Sequence, residues 1–525
     1  MKLSDIMRGA GLNVDGRDAG RAHDTSVTGF AIDHRKVAPG TVFGAFQGAR
    51  FDAEQVIPAA IEAGAIAVIA RPQAQVEGAI HIESDEPRRT FAKLAAQFFT
   101  PVPATIVAVT GTNGKTSCVE MTRQIWRMCG ERAASIGTLG VTTPDESVST
   151  GLTTPDIVTF LSNMSGLARE GVTHVAYEAS SHGLTQFRNE GVRVAVGAFT
   201  NFSRDHLDYH ATMDDYFAAK MRLFDEVVAD DGIAIIWRGD DVSADDVSAD
   251  DAGTDDAGTD DSEPDWTQRA IRHADDRGLE TLTVGPGGSF MRLVKREPTQ
   301  LGQTLGIEHD GQVHEVRLPL IGAYQAANAM VSAALAIATG SRAGQVFDAL
   351  GRLQPVRGRL ERAVITPSGV PVYVDYAHTP DALEAAIAAL RPHVDEAAGG
   401  KLIVVFGAGG DRDTGKRAPM GRVAATGADV VLVTDDNPRS EDPAKIRAEI
   451  VAGADGGGVA AMRDIAGRRQ AIDEAIRAAG THDIVLIAGK GHEQGQIIGT
   501  GDNMQVLPFD DVEVARECAA GVSGS

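Results

Sequence analysis

The stretch TIVAVTGTNGKTS, residues 105–117, decides the reading of the chain. Residues 105–109 form a continuous apolar run, as expected of a buried strand, and from 118 to 129 the apolar positions recur with helical period. Between them lies the loop Gly111, Thr112, Asn113, Gly114, Lys115, Thr116, Ser117. In such a strand, loop and helix the glycines let backbone N–H groups converge on phosphate. The helix N-terminus adds a partial positive charge, Lys115 a full one, and the Thr116 hydroxyl suits magnesium. This is the chemistry of a nucleoside triphosphate site. The strict loop pattern carries glycine five residues before Gly114, where this chain has Val109, so the loop is a shortened relative.

Outward from this loop, buried-strand patterns recur at 172–177, 194–199 and 232–237, alternating with helical segments, which predicts a mostly parallel sheet through about residue 355. Upstream, residues 26–100 alternate short strands (41–46, 65–70) with a helix at 56–63, and Pro101-Val102-Pro103 reads as a linker. A fresh series starts at Pro371, with strands at 372–375, 402–406, 430–434 and 484–488. The prediction is an α/β chain of three domains: a small α/β domain (1–100), a central nucleotide-binding domain with a mostly parallel sheet (101–355), and a Rossmann-like domain (356–525).

Composition narrows the function. The net charge of −24 argues against nucleic-acid or anionic-membrane binding, both of which need a basic footprint. No run of 18 apolar residues occurs, and the N-terminus meets charge before a signal core can form, so a soluble, unexported protein is expected. Cys118, Cys129 and Cys518 show no paired spacing, so neither disulfides nor structural zinc is suggested, and a reducing cytoplasm fits. Residues 240–261 repeat aspartate pairs (DDVSA, DDAGT) inside an acidic insert, 240–263. Mutual repulsion and the scarcity of apolar groups predict a solvated, disordered loop; calcium binding is the alternative, without EF-hand spacing.

Three further residues carry candidate chemistry. Glu178 closes a buried strand, where open α/β sheets bind ligands, and His206 follows the next strand; a carboxylate and an imidazole at adjacent strand tips suit a magnesium-phosphate centre. Lys220 lies on a predicted helix, 213–228, three residues after Phe217 and four before Phe224, on its apolar stripe. A lysine there either snorkels to water or, as a neutral buried amine, reacts with carbon dioxide to give a carbamate beside magnesium.

These motifs, with DHRKVAPGTVFGAFQG (33–48), TTPD (153–156), EASSHGLTQFR (178–188), TNFSRDHLDYH (200–210), AAK (218–220), GRLE (358–361), DYAHTPDALE (375–384), GAGGDRD (407–413), DNPRSEDP (436–443) and GKGHE (489–493), resemble the Mur ligase family along nearly the whole chain. Its members build the peptide of bacterial cell-wall precursors with ATP, and the resemblance is to those adding the third residue. It implies a cytoplasmic, monomeric ligase with ATP as co-substrate and Mg2+ as cofactor. Its substrates would be UDP-MurNAc-L-Ala-D-Glu and meso-diaminopimelate, and its intermediate an acyl phosphate.

By the same resemblance, Thr116, Glu178, His206 and a carbamylated Lys220 would hold metal, and Lys115, Lys220, His206 and Glu178 would be the catalytic residues. The 111–117 loop would hold ATP, joined by Asn328, Arg359, Asp375 and His378 when the C-terminal domain closes. Ile32, His34, Ala49, Arg50 and Phe51 would meet the uridine side, and Thr153, Thr154, Ser180, Gln186 and Arg188 the rest of the UDP-linked substrate. Arg412, Asp436, Asn437, Pro438, Arg439, Gly489 and Glu493 would form the diaminopimelate pocket. In that pocket the planar fork of Arg439 suits the second carboxylate that distinguishes meso-diaminopimelate from lysine. The chain departs from the family at His34, usually serine, at Asp52-Ala53, usually Asp-Gly, and at Ala408, usually cysteine. The competing readings are L-lysine addition, a folylpolyglutamate synthetase-like ligase, for which the usual glycine after the loop lysine is missing, and a non-catalytic nucleotide-binding module.

Overall fold

The computed structural model describes all residues except 13–21, 24, 49–50, 144–145, 149–152, 204–208, 240–264, 300, 455–459, 500 and 522–525. Ala49, Arg50, His206 and the aspartate repeat therefore lie outside the described residues. The chain is α/β, as its apolar runs predict, and it divides into two compact units. One comprises Met1–Arg292 with Met330–Val346, the other Leu293–Ala329 with Phe347–Ser525.

The first unit opens with a four-stranded sheet in the order Gly29–Ala31, Thr41–Gly44, Ala65–Ala70, Ile80–Glu83, parallel throughout. The helix Pro87–Phe98 sets Phe91 edge-on against Phe30 and Phe46, each at 5.4 Å between ring centroids. In the following sheet the strand Thr105–Thr110 is central. On one side it pairs in parallel with Val194–Phe199, followed by Val228–Trp237 and Glu280–Gly285; on the other it pairs with His174–Glu178, followed by Ala133–Gly137. Thr105–Thr110 and Val194–Phe199 are mostly apolar and buried, and their limits lie close to those predicted; Val228–Trp237, with two exposed aspartates near its start, begins four residues before the predicted 232, and Ala133–Gly137 and Glu280–Gly285 lack the continuous apolar run that would announce them.

Four expectations need correction. The helix after the nucleotide loop begins at Lys115 rather than 118, immediately after Gly114 in a left-handed conformation. The sheet is not parallel to its edge: Gly140–Thr142 turns back on Ala133–Gly137, and Ser147–Val148 on Gly140–Thr142. The predicted 213–228 helix ends at Arg222, passes through a wider-wound turn, Leu223–Val227, and becomes strand at Val228, whose ladder with Val194 captures the backbone. Finally, the strand ending at Glu178 and the one ending at Phe199 are not neighbours, because Thr105–Thr110 runs between them.

The second unit holds an antiparallel hairpin, Gly302–His309 with Gln312–Leu318, turning through Asp310 and Gly311, both at positive φ (49° and 72°). Its six-stranded sheet runs Glu361–Ile365, Pro371–Asp375, Ile484–Ala488, Leu402–Phe406, Val430–Val433, Ala461–Asp464; only the first pairing is antiparallel. Arg468 and Asp511, with fully buried side chains, make a bidentate pair at 2.7 Å per bond, joining the starts of the helices Arg468–Ala478 and Asp511–Gly521. Asp375, Gly407, Asp436 and Gly489 all sit at or just past the C-terminal ends of parallel strands, where ligands of such sheets bind.

The helix that carries Lys220, Met213–Arg222, is capped by Thr212, whose hydroxyl oxygen accepts from Asp215 N at 3.0 Å. Thr212→Ala is expected to lower stability by about 1 kcal/mol in denaturant unfolding; an unchanged midpoint would show that the cap contributes nothing.

Candidate functional site

The nucleotide loop is fixed by the strand tip beside it. Thr112 N donates to Asn201 O at 3.0 Å and Asn113 N to Asn201 Oδ1 at 2.8 Å, while Thr200 Oγ1 donates to Asn113 O at 2.6 Å. Thr112 Oγ1 also exchanges hydrogen bonds with the backbone of Ser203. The approach is so close that a Cβ on Gly111, which has φ +142°, would lie 2.0 Å from Thr200 Oγ1. Lys115 folds back over the loop, its Nζ donating to Gly111 O at 2.9 Å and Thr112 O at 2.7 Å, and Thr116 and Ser117 are buried at the start of the helix.

Glu178, 2% exposed, lies at the tip of the strand on the other side of the loop. Its Oε2 accepts from Thr116 Oγ1 at 3.0 Å and its Oε1 from Thr138 N at 2.6 Å, while Thr138 Oγ1 lies 3.2 Å from Oε2. Gly137 makes room for this carboxylate, since a Cβ there would lie 2.1 Å from Glu178 Oε1. A hydroxyl and a carboxylate converging at this loop are hard oxygen donors of the kind that could hold a magnesium ion. Lys220, 1% exposed, reaches the same loop: its Nζ donates to Gly111 O at 2.6 Å and sits 4.3 Å from the centroid of the Tyr216 ring.

The residues expected to meet the UDP-linked substrate join Glu178 in one chain. Thr138 Oγ1 lies 3.1 Å from Thr153 Oγ1; Thr154 Oγ1 donates to Glu178 O at 3.0 Å and lies 2.9 Å from Ser180 Oγ. Arg188 donates to Thr154 O at 3.0 Å and twice to Gln186 Oε1, whose amide nitrogen donates to Tyr209 Oη at 3.2 Å. Burial lowers the pKa of the Arg188 guanidinium. Among the described residues no hydrogen bond links this chain to Ile32, His34 or Phe51. Ile32 is half-buried, His34 Nδ1 is 3.8 Å from its neighbour Asp33, and Phe51 is 55% exposed.

The second unit gathers two groups of its own. Around Tyr376, Arg359 lies over the ring at 4.9 Å and His378 packs at 4.6 Å, its Nδ1 donating to Tyr376 O at 2.9 Å. Asp375 accepts from Leu360 N at 2.7 Å and Ala377 N at 2.8 Å, and burial raises its pKa against the opposing pull of Arg359. Burial holds His378 below the ordinary histidine range. Asn328 is buried beside Gln325, which donates to Arg359 O at 3.0 Å.

The other group contains Asp436, Asn437, Pro438, Arg439, Gly489 and Glu493. Asn437 Nδ2 donates to Glu493 Oε2 at 2.9 Å, and Arg439 Nη1 donates to Gly410 O at 2.8 Å. Arg412 borders it from across Gly409: a Cβ on that glycine would lie 2.9 Å from Arg439 Nη1 and 3.9 Å from Arg412 Cγ.

Residues 109–336 match the Mur ligase middle domain, and residues 358–491 the Mur ligase glutamate ligase domain. The chain belongs to the Mur ligase family. Among curated Mur ligases it is 53% identical to a UDP-N-acetylmuramoyl-L-alanyl-D-glutamate--2,6-diaminopimelate ligase of Zymomonas mobilis, over 98% of each chain. It is 47% identical to the protein of the same name from Bradyrhizobium diazoefficiens, over 94% of this chain and 95% of that one. A solved structure of a Mur ligase with that name aligns over the whole of both chains, with a TM-score of 0.72 and 30% identity.

Several residues that shape these groups carry no signal of their own in the sequence. Thr138 anchors Glu178 twice, yet it reads as an ordinary turn residue; the flanking Gly137 and Gly140 are the available hint of a tight turn. Asn201 and Thr200 read as a strand tip but not as a clamp on the loop. Lys490, inside GKGHE, reads as one lysine in a glycine-rich turn.

Proposed function

We infer that the chain is an ATP-dependent amide ligase that adds meso-diaminopimelate to the D-glutamyl carboxylate of UDP-MurNAc-L-Ala-D-Glu in peptidoglycan synthesis, through an acyl phosphate. The observation that carries this reading is the match along nearly the full length to relatives of that name, the Zymomonas protein at 53% identity above all. L-lysine addition, a folylpolyglutamate synthetase-like reaction and a non-catalytic module are not favoured.

The difficulty of the reaction is that a carboxylate is a poor electrophile. A D-glutamyl oxygen attacks the γ-phosphorus, the bond to the β,γ-bridging oxygen breaks, and ADP leaves. The amine then attacks the acyl carbon, phosphate leaves with the C–O pair, and the nitrogen gives up a proton. The first step spreads charge over phosphoryl oxygens, so positioning and electrostatics dominate. Lys115 supplies a cation over the 111–117 loop, whose N–H groups cradle the β- and γ-phosphates. Magnesium suits the hydroxyl of Thr116 and the carboxylate of Glu178, with His206 and a carbamylated Lys220 completing the set, and would neutralise the transferring charge.

In this proposal Thr153, Thr154, Ser180, Gln186 and Arg188 hold the UDP-linked substrate, with Ile32, His34, Ala49, Arg50 and Phe51 on its uridine side. Asn328, Arg359, Asp375 and His378 hold nucleotide, and Arg412, Asp436, Asn437, Pro438, Arg439, Gly489 and Glu493 take the diamino acid. The protein is proposed to act as a cytoplasmic monomer; no helix among the described residues is long and apolar enough to cross a membrane.

The test is phosphate release from ATP with UDP-MurNAc-L-Ala-D-Glu and, in turn, meso-diaminopimelate, L-lysine and L-ornithine, with products weighed by mass spectrometry. Release should require both the nucleotide-linked dipeptide and an amine, and the product should carry meso-diaminopimelate. Release that ignores either substrate would overturn the reading.

A further inference from the structure

Gly489, at φ +115°, turns the chain at the end of the strand Ile484–Ala488 and sends Lys490 inward, where it is 0% exposed. Its ammonium is surrounded by oxygens. Nζ donates to Asn437 Oδ1 at 2.9 Å and Gly495 O at 2.8 Å, and lies 3.2 Å from Asp436 Oδ1 and 3.5 Å from Glu493 Oε2. Full burial of a lysine is costly unless it is paired. Every side chain that pairs with this one belongs to the group read above as the diamino acid pocket.

The arrangement fixes more than charge. Asn437 Oδ1 accepts from both Lys490 Nζ and Ile497 N, the latter at 2.9 Å, so the amide oxygen must face this way. Its nitrogen is thereby turned to Glu493, to which it donates. The Gly495 carbonyl held by Lys490 opens the hairpin Gly495–Ile498 with Gln505–Pro508, and that hairpin holds the next stretch of the pocket. Gln496 Nε2 donates to Asp436 O at 2.6 Å, Arg439 N to Ile497 O at 3.1 Å, and Gly499 N to Arg439 O at 2.8 Å.

We propose that Lys490 is a positioning residue for amine selection: a buried cation that orients Asn437 and Glu493 toward the ammonium of the incoming diamino acid and, through Gly495, steadies the backbone of Arg439. The proposal rests on the reading of this group as the diamino acid pocket. A neutral side chain here would leave the buried Asp436 and the partly exposed Glu493 without the cation they share, and would free the Asn437 amide to turn over. Binding of the amine should suffer, while sites for ATP and the UDP-linked dipeptide should not.

The test is steady-state kinetics of the full-length enzyme carrying Lys490→Gln, Lys490→Met, or Lys490→Met with Asp436→Asn, the last removing the carboxylate that the lost cation would strand. In Lys490→Met the KM for meso-diaminopimelate should rise about tenfold or more, with the KM values for ATP and UDP-MurNAc-L-Ala-D-Glu unchanged. Lys490→Gln, which keeps a donor for Asn437 or Gly495, should fall between Lys490→Met and wild type. An unchanged amine KM, a parallel rise in all three KM values, or the absence of a cooperative melt in every variant would overturn the proposal, the last by making Lys490 purely structural. Failure of the underlying reading shows separately, in wild-type enzyme that does not respond to meso-diaminopimelate.

Discussion

Lys220→Ala is expected to cut turnover at least about a hundredfold while leaving the melt cooperative, and a short carboxylate such as acetate, or high bicarbonate, is expected to restore part of it. The magnitude follows from where the side chain ends. Nζ is buried and bonded to Gly111 O, on the first residue of the phosphate loop; in the proposed mechanism its loss removes a preorganised charge next to the transferring phosphoryl, an effect usually of about 10² to 10³ in rate. Two chemistries are separable here. If Lys220 acts as a carbamate, the missing group is an anion and carboxylates rescue. If it acts as an ammonium that only tethers Gly111 and faces the Tyr216 ring, small alkylamines rescue and carboxylates do not. The readout is turnover against rescuer concentration, with mass spectrometry of intact wild-type protein under carbon dioxide. Full activity in the unrescued variant would remove Lys220 from the catalytic machinery altogether.

How much of this site is legible from sequence depends on the distance over which each contact acts. Strands such as Val194–Phe199, Leu402–Phe406 and Ile484–Ala488 are legible to the residue because a strand covered on both faces is a continuous apolar run with a sharp polar end. The same sharp end places Glu178 at a tip. It does not reveal which tips are neighbours, since pairing order is set by crossovers that single strands do not encode, and Thr105–Thr110 runs between the two candidates. The hairpin Gly302–Leu318 escapes the sequence reading although Asp310-Gly311 is a strong turn signal, because its strands alternate with polar residues and lack the uninterrupted run found elsewhere. Lys220 stands out by helical spacing alone, but its acceptor is 109 residues away in sequence, beyond any local pattern.

Arg439→Ala is expected to raise the KM for meso-diaminopimelate by roughly ten- to a hundredfold, the equivalent of a charge-assisted pair of about 1.5 to 3 kcal/mol, while changing any use of L-lysine little. Meso-diaminopimelate differs from lysine by a carboxylate at the far end, and a selective pocket must meet that charge with a rigid cation. Arg439 is held as such a cation should be. Its backbone sits at φ +53°, a region a non-glycine residue occupies only when its surroundings impose it, and the imposition is visible: its N–H and C=O are both taken by the Ile497–Gly499 backbone, Pro438 precedes it, and Nη1 is tied to Gly410 O. Alanine keeps the Cβ and therefore the same backbone strain, so the difference measured is that of the guanidinium. Arg439→Lys keeps the charge but not the fork, and should recover only part of the loss. Competition between meso-diaminopimelate and L-lysine in one reaction, read by the mass of the product, gives the preference directly. If wild-type enzyme uses the two amines equally, or if Arg439→Ala leaves the preference intact, another group recognises the distal carboxylate.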